Sequence, residues 1–151
     1  MSKNINLHRI LIVEDNEDDL ELTMDALAEN MLIHDFDIVR DGADAIDYIF
    51  KKGKWKDRET ENPALILLDL KLPKVSGLEV LKAIRENEPT RLIPVVILTS
   101  SSEEQDIISG YKLGTNAYVV KPVIFEDFME AVRKLGAFWG IINVQPGKSN
   151  S

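Results

Sequence analysis

The sequence of 151 residues contains no cysteine and no long apolar run. Without cysteine there can be no disulfide, no thiolate metal site and no cysteine nucleophile. No segment approaches the ~20 consecutive apolar residues of a membrane-spanning helix, and residues 1–7 lack the apolar core of a signal peptide. These absences predict a cytoplasmic protein that does not bind a membrane.

Positive charge is also scarce. There are 18 Lys and Arg residues against 26 Asp and Glu residues, which gives a net charge of −8. Sequence-independent binding to nucleic acid depends on Lys and Arg facing phosphates, so that class of function is excluded. Acidic residues crowd positions 14–21, and for residues 17–21 the expected role is a solvated face. Glu14 and Asp15 are set apart because they directly follow an apolar run.

What is present is an alternation of two hydrophobic periods in a chain with 44% apolar residues, enough for one globular domain. Short apolar runs predict five buried strands, at residues 10–13, 36–39, 65–68, 95–98 and 117–120. A helical stripe follows each strand. The last two stripes are carried by Ile107, Ile108 and Tyr111, and by Phe125, Phe128, Val132 and Leu135. This order predicts an α/β fold, a doubly wound five-stranded parallel sheet with helices on both faces.

Residues 51–63 form a long, charged connection that suits either a functional loop or an ordinary surface insertion.

Polar residues stand where the predicted strands end. They are Glu14-Asp15, Asp69, Thr99-Ser100 and Lys121-Pro122. Each alone could be a helix cap or a surface residue, but ligand sites of open parallel sheets lie at this edge. Converging carboxylates repel one another and raise each other's pKa, so such a cluster indicates metal binding or acid–base chemistry. Its donors are all oxygen, and His8 and His34 lie elsewhere, which favours Mg²⁺ or Mn²⁺.

Four motifs in this order carry a resemblance to a known family. They are Val13-Glu14-Asp15, then Leu68-Asp69-Leu70-Lys71-Leu72-Pro73 with Gly77, then Leu98-Thr99-Ser100, and then Tyr118-Val119-Val120-Lys121-Pro122. From about Arg9 to Leu135 the chain resembles the receiver domain of bacterial two-component response regulators. The long connection and Phe138-Trp139 resemble the small regulators paired with phytochrome-type histidine kinases.

The resemblance implies a flavodoxin-like (βα)5 sheet with strand order 2-1-3-4-5. It also implies one receiver domain over residues 1–151, with a core at about 8–136, a tail at 137–151 and no effector domain. Such a protein is a signalling switch rather than an enzyme, apart from slow autodephosphorylation. Its partner would be a sensor histidine kinase.

By the same resemblance, Asp69 accepts the phosphoryl group from a phosphohistidine. Mg²⁺ would be bound by Asp15, Asp69 and the backbone carbonyl of Lys71, and by Glu14 through a water molecule. Lys121 would pair first with Asp69 and then with the phosphoryl oxygens, to which Thr99 donates its hydroxyl.

The signal is expected to leave through a population shift in which Thr99 moves inward and Tyr118 follows. A cis peptide is expected at Lys121-Pro122. Lys71 and Ser101 are expected to tune the lifetime of the phosphoryl form. Lys71 could exclude the attacking water and make this form long-lived.

The apolar residues of the tail, Phe138, Trp139, Ile141, Ile142 and Val144, fit two arrangements. They could cover their own domain. Alternatively they could belong to a homodimer contact that includes the fourth and fifth predicted helices and the fifth strand.

Three other functions fit the sequence less well. A phosphatase of the haloacid dehalogenase type needs a second carboxylate two residues after its nucleophile, where this chain has Lys71. A flavin carrier of the flavodoxin type needs a hydroxyl- and glycine-rich loop after the first strand, where this chain has Glu14-Asp15. A non-phosphorylated interaction module on the same fold is the stronger alternative. The presence of all five residues needed for phosphoryl transfer argues against it; they are Glu14, Asp15, Asp69, Thr99 and Lys121.

Overall fold

A computed structural model of the chain describes residues 10–30, 36–58, 62–100 and 116–136. The predicted helix of Ile107, Ile108 and Tyr111, the histidines, Ser101 and the apolar tail lie outside these residues. None of the helices in the described ranges is both long and apolar enough to cross a membrane.

The described strands form one parallel sheet. They are β1 (Ile10–Val13), β2 (Phe36–Val39), β3 (Leu65–Asp69), β4 (Val95–Thr99) and β5 (Asn116–Val120), in the order β2-β1-β3-β4-β5. The predicted fold class and strand order are confirmed. β3 and β4 each run one residue farther than predicted, so that Asp69 and Thr99 are the last residues of their strands.

Helices cover both faces of the sheet. They are α1 (Glu17–Asn30), α2 (Gly42–Phe50), α3 (Gly77–Glu86) and α4 (Phe125–Lys134), the last being the fifth predicted helix. One apolar core joins the sheet to α1 and α4 through Leu27 and Phe128. The other joins it to α2 and α3 through Tyr48 and Leu81. Each strand of the centre is therefore buried on both sides, as its continuous apolar sequence requires.

Side chains cap three helices where they leave the carboxyl edge of the sheet. The backbone N–H of Asp19 donates to Asn16 Oδ1 at 2.9 Å at the start of α1. Asp41 accepts from the N–H of Asp44 before α2, and Ser76 accepts from the N–H of Glu79 before α3. Because each cap satisfies an N–H group that the helix cannot, it fixes where the helix begins.

The long connection after α2 is fastened to that helix. It contains a short 3₁₀ turn (Gly53–Trp55), and Trp55 Nε1 donates to Asp44 Oδ1 at 2.8 Å. The Arg58 guanidinium lies 4.3 Å from the Tyr48 ring centre and donates to the Tyr48 carbonyl at 3.0 Å. The 3₁₀ turn of this segment therefore folds back along α2 toward the first turn of that helix, where Lys54 also pairs with Asp44.

Lys51 ends α2 in the left-handed conformation, with φ 57° and ψ 55°. A side chain there costs about 1 kcal/mol that glycine avoids. We expect Lys51→Gly to raise the free energy of unfolding by about 0.5–1 kcal/mol, measured by urea denaturation. Lys52→Gly is the matched control, because Lys52 has extended backbone with φ −119° and should lose about 0.5–1 kcal/mol. Equal changes in the two variants would contradict the assignment.

Candidate functional site

The polar strand ends meet at one edge of the sheet. Glu14 directly follows β1, Asp69 ends β3, Thr99 ends β4 and Lys121 follows β5. β1, β3, β4 and β5 are consecutive neighbours in the sheet, so the four tips are contiguous. The Lys121 backbone N–H donates to the Thr99 carbonyl at 2.8 Å, which continues the ladder to the tip of β5.

The Lys121 ammonium is the centre of the site. Its Nζ lies 3.1 Å from Asp69 Oδ2, 3.1 Å from Glu14 Oε1 and 3.0 Å from Asp19 Oδ2. The lysine side chain is only 14% exposed and that of Glu14 is fully buried. One cation therefore contacts three carboxylates in a poorly solvated setting, where Coulomb attraction is stronger than in water.

Burial and charge act on both ionisable partners. Burial, together with the neighbouring Asp69 carboxylate, raises the pKa of Glu14 to about 7. For Lys121, burial alone would lower the pKa, but its contacts with Asp19, Asp69 and Glu14 outweigh burial and raise it. The lysine is therefore charged throughout the physiological range.

Three carboxylates fit a divalent cation. Glu14, Asp15 and Asp69 each offer one oxygen, and these oxygens lie within 4.8 Å of one another. All donors are oxygen, the set that hard cations prefer, and Asp15 is exposed so that water can complete the coordination. The residues present therefore fit a divalent metal ion.

Thr99 offers a buried hydroxyl that could donate a hydrogen bond to a ligand of the site. Its side chain is fully buried, and its Oγ1 has no hydrogen-bond partner within the described part of the chain. A buried hydroxyl without a partner is costly, and native proteins rarely keep one without a reason. It lies at the strand tip next to Asp69, where it can donate to an anion.

Of the remaining predicted site residues, Lys71 and Tyr118 lie in the described ranges, whereas Ser101 does not. The Lys71 backbone N–H donates to Asp69 Oδ1 at 3.3 Å, and Lys71 itself is exposed. Tyr118 is half-buried and packs against the core under α2 and α3. The Lys121-Pro122 peptide is cis, as predicted.

Two glycines allow close packing behind Asp69. A Cβ on Gly77 would overlap the Asp69 carbonyl, and a Cβ on Gly42 would overlap the Val75 carbonyl. The Gly77 N–H also donates to the Leu70 carbonyl at 2.9 Å. The starts of α2 and α3 are thus packed against the segment that follows β3, and this contact fixes the backbone from Asp69 onward.

Asp19 is the site residue that sequence reasoning missed. The acidic stretch 17–21 is typical of a solvated face, and Glu17 does form an exposed pair with Arg40. Asp19 instead faces inward to Lys121. The available signal was its position three residues after the cap Asn16, where a capping-box side chain turns back toward the helix start.

Comparison with known proteins identifies the family. The sequence model of the response regulator receiver domain matches residues 10–133, most of the chain. The chain belongs to the response regulator receiver family. Receivers of this family are signalling proteins, and membership implies a histidine kinase as partner.

Three relatives show how close the match is. Response regulator Rcp1 of Synechocystis sp. (strain ATCC 27184 / PCC 6803 / Kazusa) is 38% identical over 130 residues, covering 86% of this chain and 87% of Rcp1. The bacteriophytochrome response regulator AtBRR has a TM-score of 0.85 at 51% identity, covering 91% of this chain and 99% of AtBRR. The phosphorylated cyanobacterial phytochrome response regulator RcpA has a TM-score of 0.70 at 38% identity, covering 87% of this chain and 93% of RcpA.

Rcp1 also has a solved structure with bound Mn²⁺. It matches this receiver with a TM-score of 0.71 at 36% identity, covering 93% of this chain and 99% of the Rcp1 chain in that structure. Together with the carboxylate cluster of Glu14, Asp15 and Asp69, this likeness is consistent with divalent metal binding.

Proposed function

We propose that this receiver accepts a phosphoryl group on Asp69 from a phosphohistidine of a sensor kinase, in a Mg²⁺-dependent reaction. The observation that carries the proposal is the convergence of Lys121, Glu14 and Asp15 on the Asp69 carboxylate. In such a transfer the protein contributes mainly positioning and charge neutralisation. The alternative, a non-phosphorylated interaction module, does not explain why these charged side chains converge on Asp69.

In the proposed reaction an Asp69 oxygen forms a bond to phosphorus while the donor's P–N bond breaks. The electron pair of that bond leaves with the imidazole nitrogen. The Lys71 backbone N–H, at 3.3 Å from Asp69 Oδ1, holds the carboxylate in one orientation. Lys121 moves from the Asp69 carboxylate to a phosphoryl oxygen, and the Thr99 hydroxyl, which has no partner among the described residues, donates to another.

The metal would be held directly by Asp15, Asp69 and the backbone carbonyl of Lys71, and through a water molecule by Glu14. When bound, Mg²⁺, or Mn²⁺ in its place, neutralises charge on the transferred phosphoryl oxygens and aligns them. Support comes from the all-oxygen donor set and from the Mn²⁺-bound form of Rcp1.

The conformational output would pass through Thr99 and Tyr118. Among the described residues the Thr99 hydroxyl has no partner, and a phosphoryl oxygen would supply one, so this contact would stabilise one conformation selectively. Tyr118 lies on β5, the strand that pairs with β4, and its register partner is Ile97. A shift at the tip of β4 therefore reaches the tyrosine through a directly paired strand.

Replacing Asp69 by Asn should abolish phosphoryl uptake, because an amide oxygen is a poor nucleophile for phosphorus. The measurement is incorporation of label from a radiolabelled small-molecule phosphodonor with Mg²⁺ at saturation. Asp18→Asn is the control, because Asp18 is an exposed carboxylate in the acidic stretch 14–21. This variant should take up label as the native protein does. Normal labelling of the Asp69→Asn variant would contradict the proposal that Asp69 accepts the phosphoryl group.

The lifetime of the phosphoryl form is proposed to depend on Lys71 and on Ser101. Lys71 follows the acceptor by two residues and its backbone is already bonded to the Asp69 side chain. Its side chain can then lean over the phosphoryl group and exclude water, which slows intrinsic autodephosphorylation.

Lys71→Ala should therefore shorten the half-life of the phosphoryl form by about threefold to tenfold, a barrier change of roughly 1 kcal/mol. Loss of label after removal of the phosphodonor measures it. Lys74→Ala, in the same loop, is the control and should decay at the native rate. An unchanged decay in the Lys71 variant would exclude this role.

The partner kinase is proposed to be of the phytochrome type, and the protein to work beside it in the cytoplasm. Support comes from the likeness to AtBRR, a bacteriophytochrome response regulator, and to RcpA, a cyanobacterial phytochrome response regulator. Phosphotransfer from a set of purified sensor kinases would test this pairing by relative rate.

We further propose a homodimer through the fourth and fifth predicted helices, β5 and the tail. β5 ends the described sheet, and Val120 and Ile124 beside it are 41% and 50% exposed. Exposed apolar side chains at a sheet edge are typical of an interface.

Truncation after Leu135 should convert the dimer to a monomer, as measured by sedimentation velocity. Asp18→Asn in the full chain serves as a control and should remain dimeric. A truncated chain that still sediments as a dimer would assign the tail to its own domain.

A further inference from the structure

Asp19 contributes a contact that the proposed reaction does not use. Its Oδ2 lies 3.0 Å from Lys121 Nζ, as close as either of the other two carboxylates. Asp19 belongs to the first turn of α1, whereas Glu14 and Asp69 sit at strand tips. It is also absent from the oxygen cluster that fits a metal ion, which comprises Glu14, Asp15 and Asp69.

The position of Asp19 is fixed from two sides. Its backbone N–H donates to Asn16 Oδ1 at 2.9 Å, and the Leu20 N–H donates to the Asn16 carbonyl at 2.9 Å. Asn16 in turn donates its N–H to Glu14 Oε2 at 3.2 Å. The carboxylate of Asp19 is therefore carried by a capped helix turn whose cap is itself bonded to the site.

An ammonium group has three N–H donors, and Lys121 meets three carboxylates. Phosphorylation consumes one acceptor, because an Asp69 oxygen then binds phosphorus. A bound metal competes for Glu14. Of the three acceptors, Asp19 alone takes part neither in phosphoryl transfer nor in the metal cluster, so its contact with Lys121 can persist in every state of the site.

We propose that Asp19 is a positioning residue that holds the Lys121 ammonium at the acceptor site while the other contacts of that lysine change. The inference rests on the proposed function, since it assigns Lys121 to the phosphoryl oxygens. A lysine side chain has four rotatable bonds, and an anchored ammonium loses less entropy when it meets the phosphoryl group. Asp19 thus acts on the reaction through Lys121 and touches no reacting atom.

The first test uses metal-free protein and no phosphodonor, so its outcome is independent of the proposed function. The ammonium of Lys121 is observed by ¹⁵N-detected NMR and assigned by its disappearance in Lys121→Arg. In the native protein we expect a resolved signal that exchanges slowly with water. Asp19→Ala should speed this exchange by roughly threefold to tenfold, as loss of a partly buried ion pair predicts.

Two variants control for charge and for folding. Asp18→Ala removes an exposed carboxylate from the same helix turn and should leave the exchange rate of the Lys121 ammonium unchanged. Asp19→Asn keeps an acceptor oxygen and should restore most of the native protection. Equal exchange in the native protein and in Asp19→Ala, with both folded by circular dichroism, overturns the inference.

The second test measures binding of beryllofluoride, a phosphoryl analogue, by ¹⁹F NMR with Mg²⁺ at saturation. We expect Asp19→Ala to weaken binding by roughly threefold to tenfold and Asp19→Asn to weaken it less. If Asp19 merely repelled the anion, both variants would bind more tightly, and this result also overturns the inference. Native protein that binds no beryllofluoride would count against the proposed function instead, and the exchange measurement would still decide the role of Asp19.

Discussion

The site depends on one buried cation held among anions. Without the Lys121 ammonium, the carboxylates of Glu14 and Asp69 would face each other at the strand tips with little water to separate their charges. Burial and the Asp69 carboxylate already raise the pKa of Glu14 to about 7. The lysine supplies the positive charge that lets these carboxylates stay together. In the proposed reaction, a metal ion and a phosphoryl group would enter a cluster of carboxylates that this single charge already holds together.

The sheet makes that arrangement possible by bringing distant parts of the chain together. Glu14 and Lys121 are 107 positions apart in sequence and 3.1 Å apart at their charged atoms. Parallel pairing places every carboxyl end at the same edge, and the helix caps fix the first turns that follow. Side chains that carry the chemistry therefore stand on strands and capped turns, which locate a group more precisely than free loops.

Much of this could be predicted from the sequence. The five strands are continuous apolar runs, and their order leaves few topologies, so Glu14, Asp69, Thr99 and Lys121 could be assigned to one edge. Asp19 could not, because a run of acidic residues does not reveal which member turns inward; that depends on the helix starting at Glu17. The fastening of residues 51–58 was equally hidden, since Arg58 bonds to backbone carbonyls and such contacts leave no periodic pattern.

The close packing at Gly42 and Gly77 has a consequence for how a signal can travel. On that side of Asp69 the backbones touch without any intervening side chain, and close-packed elements resist sliding past one another. The other flank carries Thr99 and Tyr118, the two residues through which we propose that the conformational output passes. If the output follows that route, the packed contact between α2, α3 and the segment after β3 provides a rigid boundary, and a displacement that begins at Asp69 is transmitted along β4 and β5.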